Sequence, residues 1–334
     1  MAAFTAIDDP EAYFQVQLYT GNGSANHAIT LGGDTNMQPD IVWIKNRDAT
    51  DSHCLFDSVR GATKVIHPDT DDAEATDADT LDSFASDGFQ VDADVKVNTN
   101  TEDYVSWNWK ESATSGVDIV SYTGNDTART ISHSLSAVPH FIWIELLAAA
   151  HHSVVYHHRN TSAPETDYLV MNTTAATADL ASIFNDTAPT SSVFSVGTAE
   201  QTNDDGSALI AYAFTGKQGF SKFGTYTGSG NSDGPFVYTG FRPAWILCKC
   251  NSASSSEWRI WNNKMDTFNP VDNVLDASDN GAEDLTAEDV DFCANGFKWR
   301  ASGLKNNDSG ETYVYAAFAE APFVNSEGVP GNAR

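Results

Sequence analysis

Positive charge is scarce in this chain. Of its 334 residues only 10 are lysine and 8 arginine, against 33 aspartates and 13 glutamates, and the net charge is −28. Phosphate contact needs a basic surface, so no nucleic acid is expected as a partner, and no anionic membrane face either. No segment approaches the roughly 18 apolar residues of a membrane helix. The opening residues 1–10 have neither a basic region nor an apolar core, so no signal peptide is expected. Cysteine is limited to Cys54, Cys248, Cys250 and Cys293. A C-x-C pair with one distant cysteine lacks zinc spacing. These read first as small buried hydrophobes and next as a Cys293 disulfide to one of the pair. Catalytic signatures are missing too: no G-x-S-x-G elbow, no phosphate loop, no H-E-x-x-H, and no G-x-G-x-x-G opening a helix. Paired glycosidase carboxylates cannot be picked out of 46 acids. Helical periodicity is weak, and only residues 80–84 and 286–292 read as a turn or two of helix.

What the chain does have is repetition. Tyr19-Thr20-Gly21, Tyr122-Thr123-Gly124 and Tyr226-Thr227-Gly228 open three segments, spaced 103 and 104 residues apart. About twenty residues after each comes a proline and an apolar run: Pro39-Asp40-Ile41-Val42-Trp43-Ile44, Pro139-His140-Phe141-Ile142-Trp143-Ile144 and Pro243-Ala244-Trp245-Ile246-Leu247-Cys248. Shorter runs ending in an aromatic follow (Cys54-Leu55-Phe56, Val154-Val155-Tyr156, Arg259-Ile260-Trp261), and each segment closes on an aromatic-rich stretch such as residues 104–109 or 313–318. These runs are short, rich in Val, Ile, Tyr, Phe and Trp, and bounded by Gly, Asn, Asp and Ser, which is strand composition. Phe14, Val16 and Leu18 alternate with Gln15 and Gln17, predicting one buried and one wet face. Proline lacks an N–H, so it suits the first residue of a strand. The expected fold is all-β: three tandem β-sandwich, jelly-roll-like repeats of about 100 residues, over residues 1–115, 116–218 (diverged) and 219–334 with a short tail. One architecture shared by the three repeats is the alternative.

Excess aspartate with little lysine predicts an acid-coated protein suited to brine. Salt shortens the Debye length to about 3 Å at 1 M, so self-repulsion is tolerated there. The histidines His151, His152, His157 and His158 are the densest ligand-type cluster. On one strand the same-face pairs lie about 20 Å apart, so a metal would need ligands from elsewhere. They read chiefly as a polar rim flanking a buried Val154-Val155-Tyr156. A structural cation such as calcium is conceivable in the acidic loops, but the nearest stretch, residues 276–281, lacks the EF-hand offsets. No catalytic or cofactor residues are nominated. Trp107, Trp109, Trp258 and Trp261 could stack on sugars, though core positions suit them better.

Several stretches resemble a known family: Tyr19-Thr20-Gly21-Asn22-Gly23, residues 38–47, residues 55–62, Trp107-Asn108-Trp109-Lys110, residues 240–245, 280–284 and 316–323, and the terminal Pro330-Gly331-Asn332-Ala333-Arg334. They are similar to a repeat family of tailed viruses, many marine or halophilic and including archaeal viruses, whose members are described as virion structural or tail-associated proteins. The resemblance is good in the first and third repeats and poor in the second. It implies membership of a virus particle, with no catalytic residues to carry over, and does not fix the position on it. Acid-coated, helix-poor repeats predict a non-enzymatic protein on the outside of the particle, decorating the head as a turret or cement subunit with possible host-surface attachment. Its partners would be the major capsid protein or other virion proteins, further copies of itself (a trimer or pentamer), and a host glycan or S-layer. A tail-fibre or receptor-binding protein reading host glycans is the alternative.

Overall fold

A computed structural model describes residues 5–285 and 289–332. Strands dominate it. The α-helices among the described residues are single turns, Val95–Asn98, Ala181–Phe184 and Glu200–Asn203. The two helical expectations fail where they can be judged. Leu81–Ala85 and Val290–Cys293 are strands of small antiparallel sheets, where pairing overrides a weak local signal, and residues 286–288 lie outside the described residues.

One pattern of pairing occurs three times. In residues 14–109 the strand Phe14–Thr20 pairs with Asp103–Trp109, which pairs with Ile41–Asn46, which pairs with Cys54–Asp57. The second sheet runs Val117–Thr123, Ala208–Phe214, Phe141–Leu146, Val154–His157, and extends through Asp167–Val170 and Ala178–Asp179. The third runs Ser221–Thr227, Thr312–Pro322, Phe241–Cys250, Arg259–Asn262, Leu275–Asp276. All pairs are antiparallel, and the registers match: Ile41, Phe141 and Trp245 stand opposite Trp109, Phe214 and Phe318. A smaller sheet covers one face of each main sheet, built on His27–Thr30 with Gly88–Val91, on Arg129–Ser132 with Val193–Val196, and on Phe236–Tyr238 with Gly296–Trp299. Nesting first with last and second with penultimate strand is jelly-roll pairing, but the hairpin of third and fourth strands departs from it.

The units share one core and are not separate sandwiches. Ile41–Asn46 is buried throughout because its two faces serve different cores. Val42 and Ile44 face the unit's own small sheet with Ile29, Phe89 and Val91. Ile41 and Trp43 face a common core holding side chains of all three main sheets. There Trp43 meets Trp143 at 5.4 Å between ring centroids, Trp109 meets Trp245 at 5.5 Å, and Phe141 stacks on Phe223 at 5.9 Å. Each such pair adds about 0.5–1.5 kcal/mol beyond its buried area. Trp107, Trp109, Trp258 and Trp261 are all buried, so none stacks on a sugar. An apolar cavity of about 30 Å³ lies where the three sheets converge.

Backbone bonds close the ring in the same sense at each step. Glu74 N–H donates to Leu147 O at 3.1 Å, Thr177 N–H to Asn251 O at 3.0 Å, and Glu283 N–H to Arg47 O at 2.8 Å. The three acceptors each follow the third strand of the next unit, so the body has a pseudo-threefold axis.

The recurring Tyr-Thr-Gly has a mechanical explanation. The tyrosine hydroxyls donate to Val97 O, Thr202 O and Asn306 O. The next residue in each case is a buried asparagine: Asn98, Asn203 or Asn307. Its Oδ1 accepts the N–H of Asn22, Asn125 or Ser229, and its amide donates to two carbonyls, as Asn203 does to Thr127 O and Gly197 O. A Cβ on Gly21, Gly124 or Gly228 would stand 2.1, 1.9 or 2.1 Å from a carbonyl oxygen of that loop, so only glycine fits. The motif latches the end of the first strand to the loop before the last.

Two further expectations are corrected. Gln15 is buried, because its amide bonds Glu11 O, Thr35 O and Gly33 N–H. Pro243 lies inside Phe241–Cys250, tolerated at a break in register between Arg242 and Trp245.

Candidate binding groove

The three seams between units can be compared position by position. The second residue of each first strand is Gln15, Asp118 or Lys222, and each side chain reaches the end of the second strand or the segment just after it. Gln15 accepts Gly33 N–H, and Asp118 accepts from Ser134 N–H and Oγ. Lys222 has donors only, so it cannot accept such an N–H. It donates instead to Tyr238 O, and Thr239 N–H and Gly240 N–H turn away to Asn295 O.

The seams differ accordingly. In the seam of the first and second units, Asp40 accepts from Ser58 Oγ and Glu111 N–H, and Glu111 accepts Ile119 N–H at 3.1 Å. Desolvation, reinforced by Asp118 and Asp40, raises the Glu111 carboxyl to about 7. The same seam holds Asp57 against Arg60 and Tyr212, with Tyr212 Oη donating to Asp57 at 2.7 Å. In the seam of the third and first units, a pocket of only about 20 Å³ remains between Gln15, Gly33, Asn263 and Glu320.

The seam of the second and third units holds an open groove of about 830 Å³. His140 and His158 line one wall, where the other seams have Asp40 and Ser58, or Ala244 and Asn263. Arg159, Lys217 and Lys222 supply positive charge, and no carboxylate lines it. No ion pair is formed by these three cations among the described residues, whereas Arg47, Arg60, Arg242 and Arg300 each hold a carboxylate. Desolvation draws both lysines below the usual lysine range. On the rim Phe236 and Tyr238 are 47% and 54% exposed, with Lys222 Nζ 5.1 Å from the Tyr238 ring centre. In a protein of net charge −28 this is a concentrated basic and aromatic recess.

The histidine cluster divides. His151 turns to Glu200 at 3.2 Å, and His152 is exposed. His157 is buried and not on a rim; its Nε2 donates to Tyr315 O of the third unit while Nδ1 accepts Arg159 N–H. His158 donates from Nε2 to Phe223 O and stacks on His140 at 4.1 Å, whose Nδ1 accepts Gly216 N–H. Burial, aided by mutual repulsion, pushes His157 to about 3 and His140 to about 4. These rings are neutral joints between units. His140 was missed from sequence because the rings it meets are distant in the chain, His158 just past the adjacent strand and Phe223 in the next unit.

Other ionisable groups are also committed. Lys45, Glu145 and Lys249 share one register position on the third strands and are buried. Lys45 donates to Asn46 O and Ala49 O, and Trp143 Nε1 donates to Glu145 at 2.6 Å. Glu257, Asp276 and Asp279 bring carboxylate oxygens within 4.8 Å of one another, partly in the acidic stretch singled out for calcium. Lys305 lies 2.9 Å from Glu257 and Arg259 2.9 Å from Asp276, so protein cations already answer two of the three carboxylates. The four cysteines are free thiols.

No curated protein and no solved structure matches this chain. A family model covers residues 9–322, nearly the whole length, and on that match the chain belongs to the family described as a domain of unknown function, DUF7483.

Proposed function

We propose that this chain is a non-enzymatic structural protein of a tailed-virus particle, displayed on its outer surface as a head decoration or turret subunit. It would be held to the major capsid protein or another virion protein, as a trimer or pentamer of itself. The observation that carries this reading is the cyclic closure of three equivalent units over one aromatic core. Buried polar groups such as Asn98, Asp57, Arg60 and His157 are committed to latches and joints. That is the economy of a rigid building block. The resemblance of the first and third repeats to virion proteins supports membership of the particle. Gold-labelled antibody against the recombinant chain, applied to intact particles of the encoding virus, should decorate the head. Label confined to the tail tip, or absent from particles, would overturn the reading. The groove favours a second reading, a receptor-binding protein that reads host glycans, because an open, basic, aromatic-rimmed recess occurs at one seam while the equivalent ones are filled.

A further inference from the structure

We infer that the groove between the second and third units is a binding site for a short acidic saccharide, one to three sugar units bearing carboxylate or sulfate. This deepens the second reading above and rests on it.

Three observations converge. The size fits, since a recess of about 830 Å³ suits a small ligand and not a folded partner. The charge fits: Arg159, Lys217 and Lys222 line a recess without carboxylates and none of the three pairs with an acid among the described residues, while most of the protein's other arginine and lysine side chains do. Arg159 is exposed, and its planar guanidinium matches a carboxylate or sulfate edge with two parallel donors. The shape fits as well, because the exposed Tyr238 ring offers an apolar face on which a sugar ring can lie, and Gly240 beside it adds no side chain. A neutral sugar would leave the cations unanswered.

The surrounding charge gives this site an unusual signature. At low ionic strength the net charge of −28 repels any anion before it reaches the recess. At about 1 M salt the Debye length is near 3 Å, so the distant carboxylates are screened while contacts inside the recess persist. Affinity should therefore rise with salt between about 0.05 M and 0.5 M before levelling, the reverse of an ordinary polyanion binder.

Isothermal titration of the full chain with trigalacturonate, a sulfated chondroitin disaccharide and maltotriose tests this, in KCl from 0.05 to 2 M. At least one acidic probe should bind, roughly tenfold tighter at 0.5 M than at 0.05 M, and maltotriose should not. Arg159→Gln and Lys217→Gln should each weaken binding about tenfold at unchanged melting temperature. Tyr238→Ala should weaken it while keeping the preference for acid. Binding of trigalacturonate shows that carboxylate suffices, and binding of the chondroitin disaccharide alone, which carries a uronate as well as a sulfate, assigns the sulfate. Binding of maltotriose with the same affinity would overturn the acidic assignment and leave glycan recognition standing. No binding of any probe at any salt, with the fold intact by circular dichroism, would overturn both.

Discussion

Replacing Asn203 by alanine probes the latch and the shared core together. The side chain is fully buried. Its amide donates to Gly197 O at 2.7 Å and Thr127 O at 2.9 Å, and its carbonyl accepts Asn125 N–H at 3.1 Å. Each group stranded without water costs about 1–3 kcal/mol. The Gly197 bond is fully buried and the others partly so, which gives a loss of about 3 kcal/mol. How that appears as heat depends on what melts. A 334-residue body unfolding as one has an entropy of about 0.7 kcal/mol/K, so Tm falls by about 4 °C in one transition. If residues 116–218 melted alone, the same loss would lower a minor transition by about 14 °C. Calorimetry with circular dichroism at 2 M KCl distinguishes the cases. Asn98→Ala and Asn307→Ala should behave alike, since their bonds are alike. Two resolved transitions would refute the single core, and a shift below about 1 °C would refute the latch.

Other expectations follow from named contacts. Gly124→Ala places a Cβ 1.9 Å from Asp204 O and should cost about 3 kcal/mol or more, whereas Gly206→Ala, at φ +73° with open space, should cost about 1 kcal/mol; equal losses by denaturant titration would sink the steric argument. Burial lifts Glu145 to about 7, so the folded state holds a proton that the unfolded state releases near pH 4.5. Stability from this group falls as pH rises from about 4.5 to 7, so Glu145→Gln should match the parent at pH 4.5 and exceed it by roughly 3 kcal/mol at pH 8; a constant difference across that range would exclude the assignment. Melting temperature should climb as KCl rises from 0.1 to 2 M, because screening relieves the repulsion of −28 charges; a flat profile would contradict it. Since Lys305 and Arg259 already neutralise Glu257 and Asp276, EDTA should leave the calorimetric trace unchanged, and a drop of several degrees would show a resident cation.

The all-β class was legible because Val, Ile and aromatic residues occur in short bounded runs. The runs from Ile41, Phe141 and Trp245 lie on third strands in matching register. What could not be read was which polar residues are interior. Gln15 looks wet beside Phe14 and Val16, yet it closes a seam through a loop eighteen to twenty residues away. His157 looks like a rim residue, and its partner is Tyr315, 158 residues on. The latch asparagines did leave a trace: Asn98, Asn203 and Asn307 each stand six residues before the first buried residue of a closing strand, Tyr104, Leu209 and Tyr313. The groove left none, because it exists only where two units meet.

A ring fastened at three points can open at the rim of one junction without coming apart. Beside Lys222, where the other units have a glutamine or aspartate, one junction opens into a recess, yet Thr177 to Asn251, His157 to Tyr315 and His158 to Phe223 still hold it. Change can therefore accumulate at the opened rim, altering what the molecule grips, while the ring stays closed.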